Sequence, residues 1–138
     1  MAKKLLTLRE ARALLPEVEE TLERLGKLRD ALSLLNSVNS VYEDNYYTLQ
    51  EYLVKSRRKH KLFFRFYKEL VDMMANGIIV KDIESGLIDF LSVYKGKEIC
   101  LCWKLGERDI MYWHSVDEGF QGRQPIELLE ADEFDMRH

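Results

Sequence analysis

MMANGIIVKD, residues 73–82, is the stretch at which the spacing of apolar residues changes from that of a helix to that of a strand, and the fold turns on it. Up to Asn76 the chain contains one Pro and one Gly, and its apolar residues recur at threes and fours, the mark of a helix with one buried face. After Gly77 the period falls to two, as in strands whose side chains point alternately to either side. Asn76-Gly77 is the stop between them, because glycine takes the left-handed conformation that closes many helices.

Upstream, Thr7 followed by Glu10 reads as a capping box that opens a helix. Pro16 then interrupts the pattern, so the expectation is a short helix ending near Leu15, or a kinked one restarting with Pro16 in its first turn. Val18, Leu22, Leu25, Leu28, Leu32 and Leu35 mark one stripe, and Asn36 to Asn45, rich in Asn and Ser, reads as the connection. Beyond it Tyr42, Tyr46, Leu49, Leu53, Ser56, His60, Phe63, Tyr67, Leu70 and Met74 alternate fours and threes, the spacing of a helix lying along a partner helix. Two such helices joined by a short loop fold back as an antiparallel, coiled-coil-like hairpin.

Downstream, strands are expected from Ile78, over Gly86–Tyr94, over Glu98–Lys104 and over Asp109–Ser115, joined by tight turns at Lys95-Gly96 and around Gly106. A two-residue turn at Lys95-Gly96 pairs Tyr94 with Lys97, and therefore Phe90 with Leu101, Ile88 with Trp103 and Asp89 with Cys102. Ile88, Phe90, Ile99, Leu101 and Trp103 then form a core face, and Asp89, Leu91, Glu98, Cys100 and Cys102 a mixed one. A next hairpin symmetric about Gly106-Glu107 pairs Trp103 with Ile110 and Ile99 with His114, putting His114 on the core side. A one-residue bulge sends His114 to the cysteine side instead. In that case Cys100, Cys102 and His114 are three soft ligands on one face, with Asp89 as a fourth, for a tetrahedral divalent metal such as zinc. The spacing matches no standard zinc motif, and free cysteines in strands are usually small buried hydrophobes, so no metal is favoured.

Composition narrows the function classes. The 138 residues suffice for one core, the charged fraction of 33% suits long exposed helices, and a net charge of −3 gives no general field for nucleic acid or anionic membrane. The first twenty residues carry two Lys, two Arg and four Glu, which does not read as a signal peptide, and no run approaches the roughly 20 apolar residues of a membrane span. Two cysteines in a C-x-C fit a reducing compartment, and the expected location is the cytoplasm. No nucleophile elbow, phosphate-cradling loop or H-E-x-x-H is present.

Three features remain as candidates. KSRRKHK (residues 55–61) is the one concentrated basic segment, and on a helix it reads first as a solvated face and only second as a nucleic-acid contact. His60 and Ser56 within the apolar seam read as partly wet residues that fix register, with a ligand or pH-sensitive contact as the sharper option. In DEGFQGRQP (residues 117–125), Arg123 is suited to a bidentate bond with a carboxylate. That partner is either internal (Asp82, Asp89, Glu107 or Asp117) or an anionic ligand or neighbouring subunit. The acidic ELLEADEFDMRH tail is expected to fray after Leu129.

The order of the motifs T-L-R-E-A-x-x-L-L-P, G-x-x-x-K-D, G-L-I-D-F, L-C-W-K-L-G-E, Y-W-H and G-F-x-G-R-Q-P resembles an uncharacterised family, domain of unknown function twenty-two hundred and three, over nearly the whole chain. One departure is Leu91-Ser92 after Asp89-Phe90, where the family pattern has a proline. The resemblance carries no established activity. It implies that Asp89, Glu107, His114 and Arg123 gather with Trp103 and Trp113, as a charged brace fastening the last loop or as a pocket with His114 as acid/base and Arg123 as anion clamp.

The expected fold is thus α+β: a long antiparallel helical hairpin packed on a small antiparallel meander of three to four strands. It forms one domain over residues 1–129, with a helical half at 7–76 and a sheet half at 77–129, followed by a flexible acidic tail at 130–138. The leading functional expectation is a non-enzymatic cytoplasmic interaction or scaffold domain that self-associates as a homodimer through the hairpin, or docks a protein partner, with no membrane and no cofactor. The alternative is a small-molecule or metal-binding enzyme using Asp89, Glu107, His114 and Arg123, with Trp103, Trp113 and Gln124 as further ligand contacts. Nucleic-acid binding through residues 55–61 is the third.

Overall fold

A computed structural model describes residues 4–42 and 49–135. Two long helices, α1 (Leu8–Tyr42) and α2 (Leu49–Ala75), form a helical hairpin. Five strands follow: β1 (Ile78–Asp82), β2 (Leu87–Tyr94), β3 (Lys97–Lys104), β4 (Tyr112–Ser115) and β5 (Gln124–Pro125). They make an antiparallel meander in sequence order, and a short helix α3 (Glu127–Asp135) completes the chain. The α+β expectation holds, with β5 as one strand more than the upper count expected.

The capping box forms as expected: Thr7 N–H donates to Glu10 Oε1 at 3.0 Å and Glu10 N–H to Thr7 Oγ1 at 3.1 Å. Of the two expectations at Pro16, the short helix ending near Leu15 is not seen, because α1 runs through the proline. An interior proline costs a helix about 3 kcal/mol. Burial of Ala11, Val18, Leu22, Leu25 and Leu28 along one face of α1 outweighs that cost. The helix also continues through Asn36 to Tyr42, where the connection was expected to have begun, while Glu43 to Asn45 and Tyr46 lie outside the described residues.

The apolar seam of α2 is set differently from the expectation. Phe66, Leu70 and Met73 pack into the core, whereas Leu49, Leu53, Phe63, Tyr67 and Met74 are 56–74% exposed, and His60 is exposed as well. Of the expected seam, Leu70 is the member packed against the core.

At Lys95-Gly96 both residues have positive φ (52° and 77°), the turn whose twist matches a two-residue hairpin. The register that follows is the expected one, with Ile88 opposite Trp103, Asp89 opposite Cys102, Phe90 opposite Leu101 and Tyr94 opposite Lys97. One sheet face presents Ile78, Ile88, Phe90, Ile99, Leu101, Trp103 and Trp113 to a single core shared with Leu6, Leu8, α1, Met73, Ile126 and Leu129.

Between β3 and β4 the register is shifted by one from the symmetric hairpin: Cys100 faces His114 and Ile99 faces Ser115. The cause lies in α1. Arg12 Nε donates to Asp109 Oδ1 at 2.9 Å and Nη2 to the Ile110 carbonyl at 3.3 Å, while the Ile110 side chain is fully buried. Residues 109–110 are thereby drawn to the helix and out of the ladder, and β4 starts at Tyr112. Arg12 Nη2 also reaches Glu130 Oε1 at 2.7 Å, which ties down α3. The helix therefore continues to Asp135, beyond Leu129, where the tail was expected to fray; residues 136–138 lie outside the described residues.

Candidate functional site

With the shifted register, His114 stands on the face of the sheet opposite the core, with Asp89, Cys100, Cys102 and Tyr112. The alternation that sends Phe90, Leu101 and Trp113 inward sends their neighbours outward. Four of these outward residues are still sealed from water, Asp89 at 1% exposed, His114 at 2%, Cys100 at 5% and Cys102 at 6%, whereas Tyr112 is exposed. Asp89, Cys100 and His114 offer ligand atoms that all lie within 4.8 Å of one another.

His114 is held at both nitrogens. Nδ1 lies 2.8 Å from the Ser115 carbonyl oxygen, and since a carbonyl only accepts, Nδ1 carries the hydrogen. Nε2 points at Asp89, 3.3 Å from each of its carboxylate oxygens. Lys81, from β1, brings Nζ to 2.8 Å from Asp89 Oδ2. Oδ2 receives no well-aligned hydrogen bond, so charge rather than hydrogen-bond geometry balances it. The ammonium's bond to Asp89 raises the Lys81 pKa. Burial, and then the negative charge of Asp89, push both thiols up to about 11, so Cys100 and Cys102 are held as neutral thiols. Both cysteines are free.

The remaining expected site residues are elsewhere. The indoles are on the core face, away from Asp89 and His114, which corrects the expected gathering: Trp103 Nε1 donates to the Glu107 carbonyl at 3.1 Å, and Trp113 Nε1 to the Pro125 carbonyl at 3.1 Å. Trp113 also stacks obliquely on Tyr94, with 5.5 Å between ring centroids. Gln124 pairs with Trp113 through the backbone of β5, and its side chain is exposed. Arg123 lies over the Tyr112 ring, 4.7 Å from its centroid, a cation–π contact on the outer face. Its positive charge and the negative charge of half-buried Glu107 both act on Cys102. The expected quartet therefore splits: Asp89 and His114 meet directly, whereas Glu107 and Arg123 flank the Cys102 end of the face.

Lys81 is the participant that the sequence analysis did not single out as a site residue. Alternation in β1 puts Ile79 opposite Asp89, but Lys81 stands at the register shift between Val80 and Asp82, and it is the long side chain that brings its ammonium to Asp89. The basic segment 55–61 is on α2, with Arg57, Arg58 and Lys61 exposed. Among the described residues no helix is long and apolar enough to cross a membrane.

No curated protein and no solved structure matches the chain. A family model described as Uncharacterized conserved protein (DUF2203) matches residues 4–126, spanning both helices, the sheet and the Asp89–Cys100–His114 group, and the chain belongs to that family.

Proposed function

We propose that the protein is a non-enzymatic interaction domain that forms a homodimer through the outer face of α2. The observation that carries this reading is a row of apolar side chains on that face, Leu53, Phe64, Tyr67, Val71 and Met74, each 42–65% exposed. Phe64, Tyr67, Val71 and Met74 are spaced three, four and three apart, the interval of a seam between two helices, and such a row is costly to leave in water. An open trough beside it, lined by Leu53, Ser56, Arg57, His60, Lys61, Phe64 and Arg65, suits side chains of a second helix.

Charge favours a second copy as the occupant. Arg57, Arg58, Lys61 and Arg65 are exposed along α2, and Glu17, Glu19, Glu20 and Glu23 along α1. The Arg24–Glu69 ion pair at 2.7 Å aligns the acidic stretch with the sheet end of the hairpin and leaves the basic stretch toward the other end. Two hairpins lying antiparallel about a twofold axis bring each basic stretch beside the partner's acidic one, twice over, which closes the assembly as a four-helix bundle. The burial of Asp89 and His114, spent on each other, supports a structural rather than a catalytic role for them. Two free buried thiols suit the cytoplasm.

Charge reversal tests the arrangement. Arg57→Glu with Arg58→Glu is expected to convert dimer to monomer on light scattering, and Glu19→Lys with Glu20→Lys added to that chain is expected to restore the dimer. A wild-type dimer that survives the first pair, or is not restored by the second, contradicts the arrangement. Salt-sensitive retention of a wild-type monomer on polyanions would assign the basic stretch to nucleic acid instead.

A further inference from the structure

We propose that Asp89, Cys100 and His114 bind a zinc ion through one carboxylate oxygen, the Cys100 thiolate and His114 Nε2. The three side chains project from three neighbouring strands on one face, with ligand atoms within 4.8 Å of one another. A tetrahedral zinc ion with bonds of about 2.0–2.3 Å holds its ligand atoms roughly 3.3–3.8 Å apart. The group therefore closes onto an ion by side-chain rotation, with no change in the ladder.

The setting of His114 is a second, independent pointer. With Nδ1–H donated to the Ser115 carbonyl, the ring turns Nε2 toward the two carboxylate oxygens of Asp89, each 3.3 Å away. Asp89 Oδ2, buried and without a well-aligned hydrogen bond, is a further donor atom in the same group. An Nδ1–H bond to a backbone carbonyl is also how metal-binding histidines are held with Nε2 free for the ion. Sulfur, nitrogen and oxygen donors together suit zinc among the common divalent ions.

Charge balances at the site. Zinc with one thiolate, one carboxylate and a neutral imidazole sums to zero. Binding releases to solvent the Cys100 thiol proton and any proton that His114 Nε2 shares with Asp89, and it displaces the Lys81 ammonium from Asp89 Oδ2. Lys81 is able to leave because its side chain is 41% exposed, whereas that of Asp89 is 1% exposed. In the metal-free protein Lys81 is thus the counter-ion that the metal replaces. Cys102 shares the face but falls outside the ligand group. The ion so placed ties β2, β3 and β4 together.

Cobalt reports on such a site because a thiolate–Co²⁺ bond gives a near-ultraviolet charge-transfer band, and tetrahedral Co²⁺ gives strong visible bands. Chelator-treated protein dialysed against Co²⁺ is expected to bind one ion per chain with both signatures and to lose them to an equivalent of Zn²⁺. Cys102→Ser is expected to keep them, and Cys100→Ser to lose the charge-transfer band. Lys81→Ala, at a partly exposed side chain, is expected to bind Co²⁺ roughly tenfold more tightly, the worth of one charged contact to Asp89. Absence of bound cobalt in both wild type and Lys81→Ala overturns the proposal, as does binding without a thiolate band. A band that is lost in Cys102→Ser overturns the ligand set, and this arm decides even where Cys100→Ser fails to fold.

Discussion

Asp89 on β2 and His114 on β4 reach over β3 to meet, His114 Nε2 lying 3.3 Å from both carboxylate oxygens in a place closed to water. Neither residue has an adequate partner without the other elements of the face. Lys81 supplies charge from β1, the Ser115 carbonyl fixes the ring, and Cys100 lies in the same group. The contact depends on a one-residue choice of register, since a symmetric β3–β4 hairpin would have turned His114 toward the core.

Removal of either side of this arrangement has unequal consequences. Asp89→Ala leaves the buried imidazole facing an empty acceptor site and is expected to destabilise the fold by about 3 kcal/mol, the scale for breaking a buried pair. Lys81→Met removes a half-exposed partner and is expected to cost clearly less, because solvent screens that charge. Urea unfolding midpoints of the two metal-free variants check the order. Equal losses would mean that the ion pair, and not the Asp89–His114 contact, holds the face.

Gly77 marks the passage from α2 to β1 and has φ +84°, and a Cβ there would lie 2.7 Å from the Lys4 carbonyl oxygen. Gly77→Ala is expected to destabilise by about 2 kcal/mol or more, through strain and displacement of the N-terminal segment. Gly26, inside α1, has nothing within 4 Å of such a Cβ, so Gly26→Ala is expected to stabilise by about 1 kcal/mol. Thermal unfolding of the two variants should move in opposite directions.

Glu10 links stability to acid. Its bonds with the Thr7 backbone and hydroxyl lower its carboxyl pKa below the ordinary 4.5. A carboxylate with a lowered folded-state pKa contributes stability above its unfolded value, and that contribution is lost as pH falls through the folded one. Glu10→Gln keeps an acceptor for the Thr7 N–H but cannot titrate. The stability difference between wild type and Glu10→Gln should therefore shrink as pH drops below about 4.5. A difference that is constant with pH would mean the capping bond does not form in solution.

The parts of the fold that were legible in the sequence are those that local rules decide. Thr7 with Glu10, and Lys95-Gly96 with the alternation around it, set a helix start and the β2–β3 register without help from distant residues. The parts that were not legible are set by contacts far apart in sequence. Arg12 draws Asp109 and Ile110 onto α1, and this hidden pull, not the turn residues, sends His114 to the cysteine face. On α2 the rows Phe66, Leu70, Met73 and Phe64, Tyr67, Val71, Met74 have similar spacing, so periodicity establishes a helix but does not say which row meets the core. Pro16 is overridden by the apolar face on either side of it.

Sedimentation equilibrium of the wild-type chain over a wide concentration range is the most direct test of the assembly built on α2. The account predicts a species of twice the 16.4 kDa chain mass, reduced to the chain mass by Phe64→Asp at the exposed center of the row with helicity unchanged. A wild-type chain that sediments at 16.4 kDa at every concentration would contradict it.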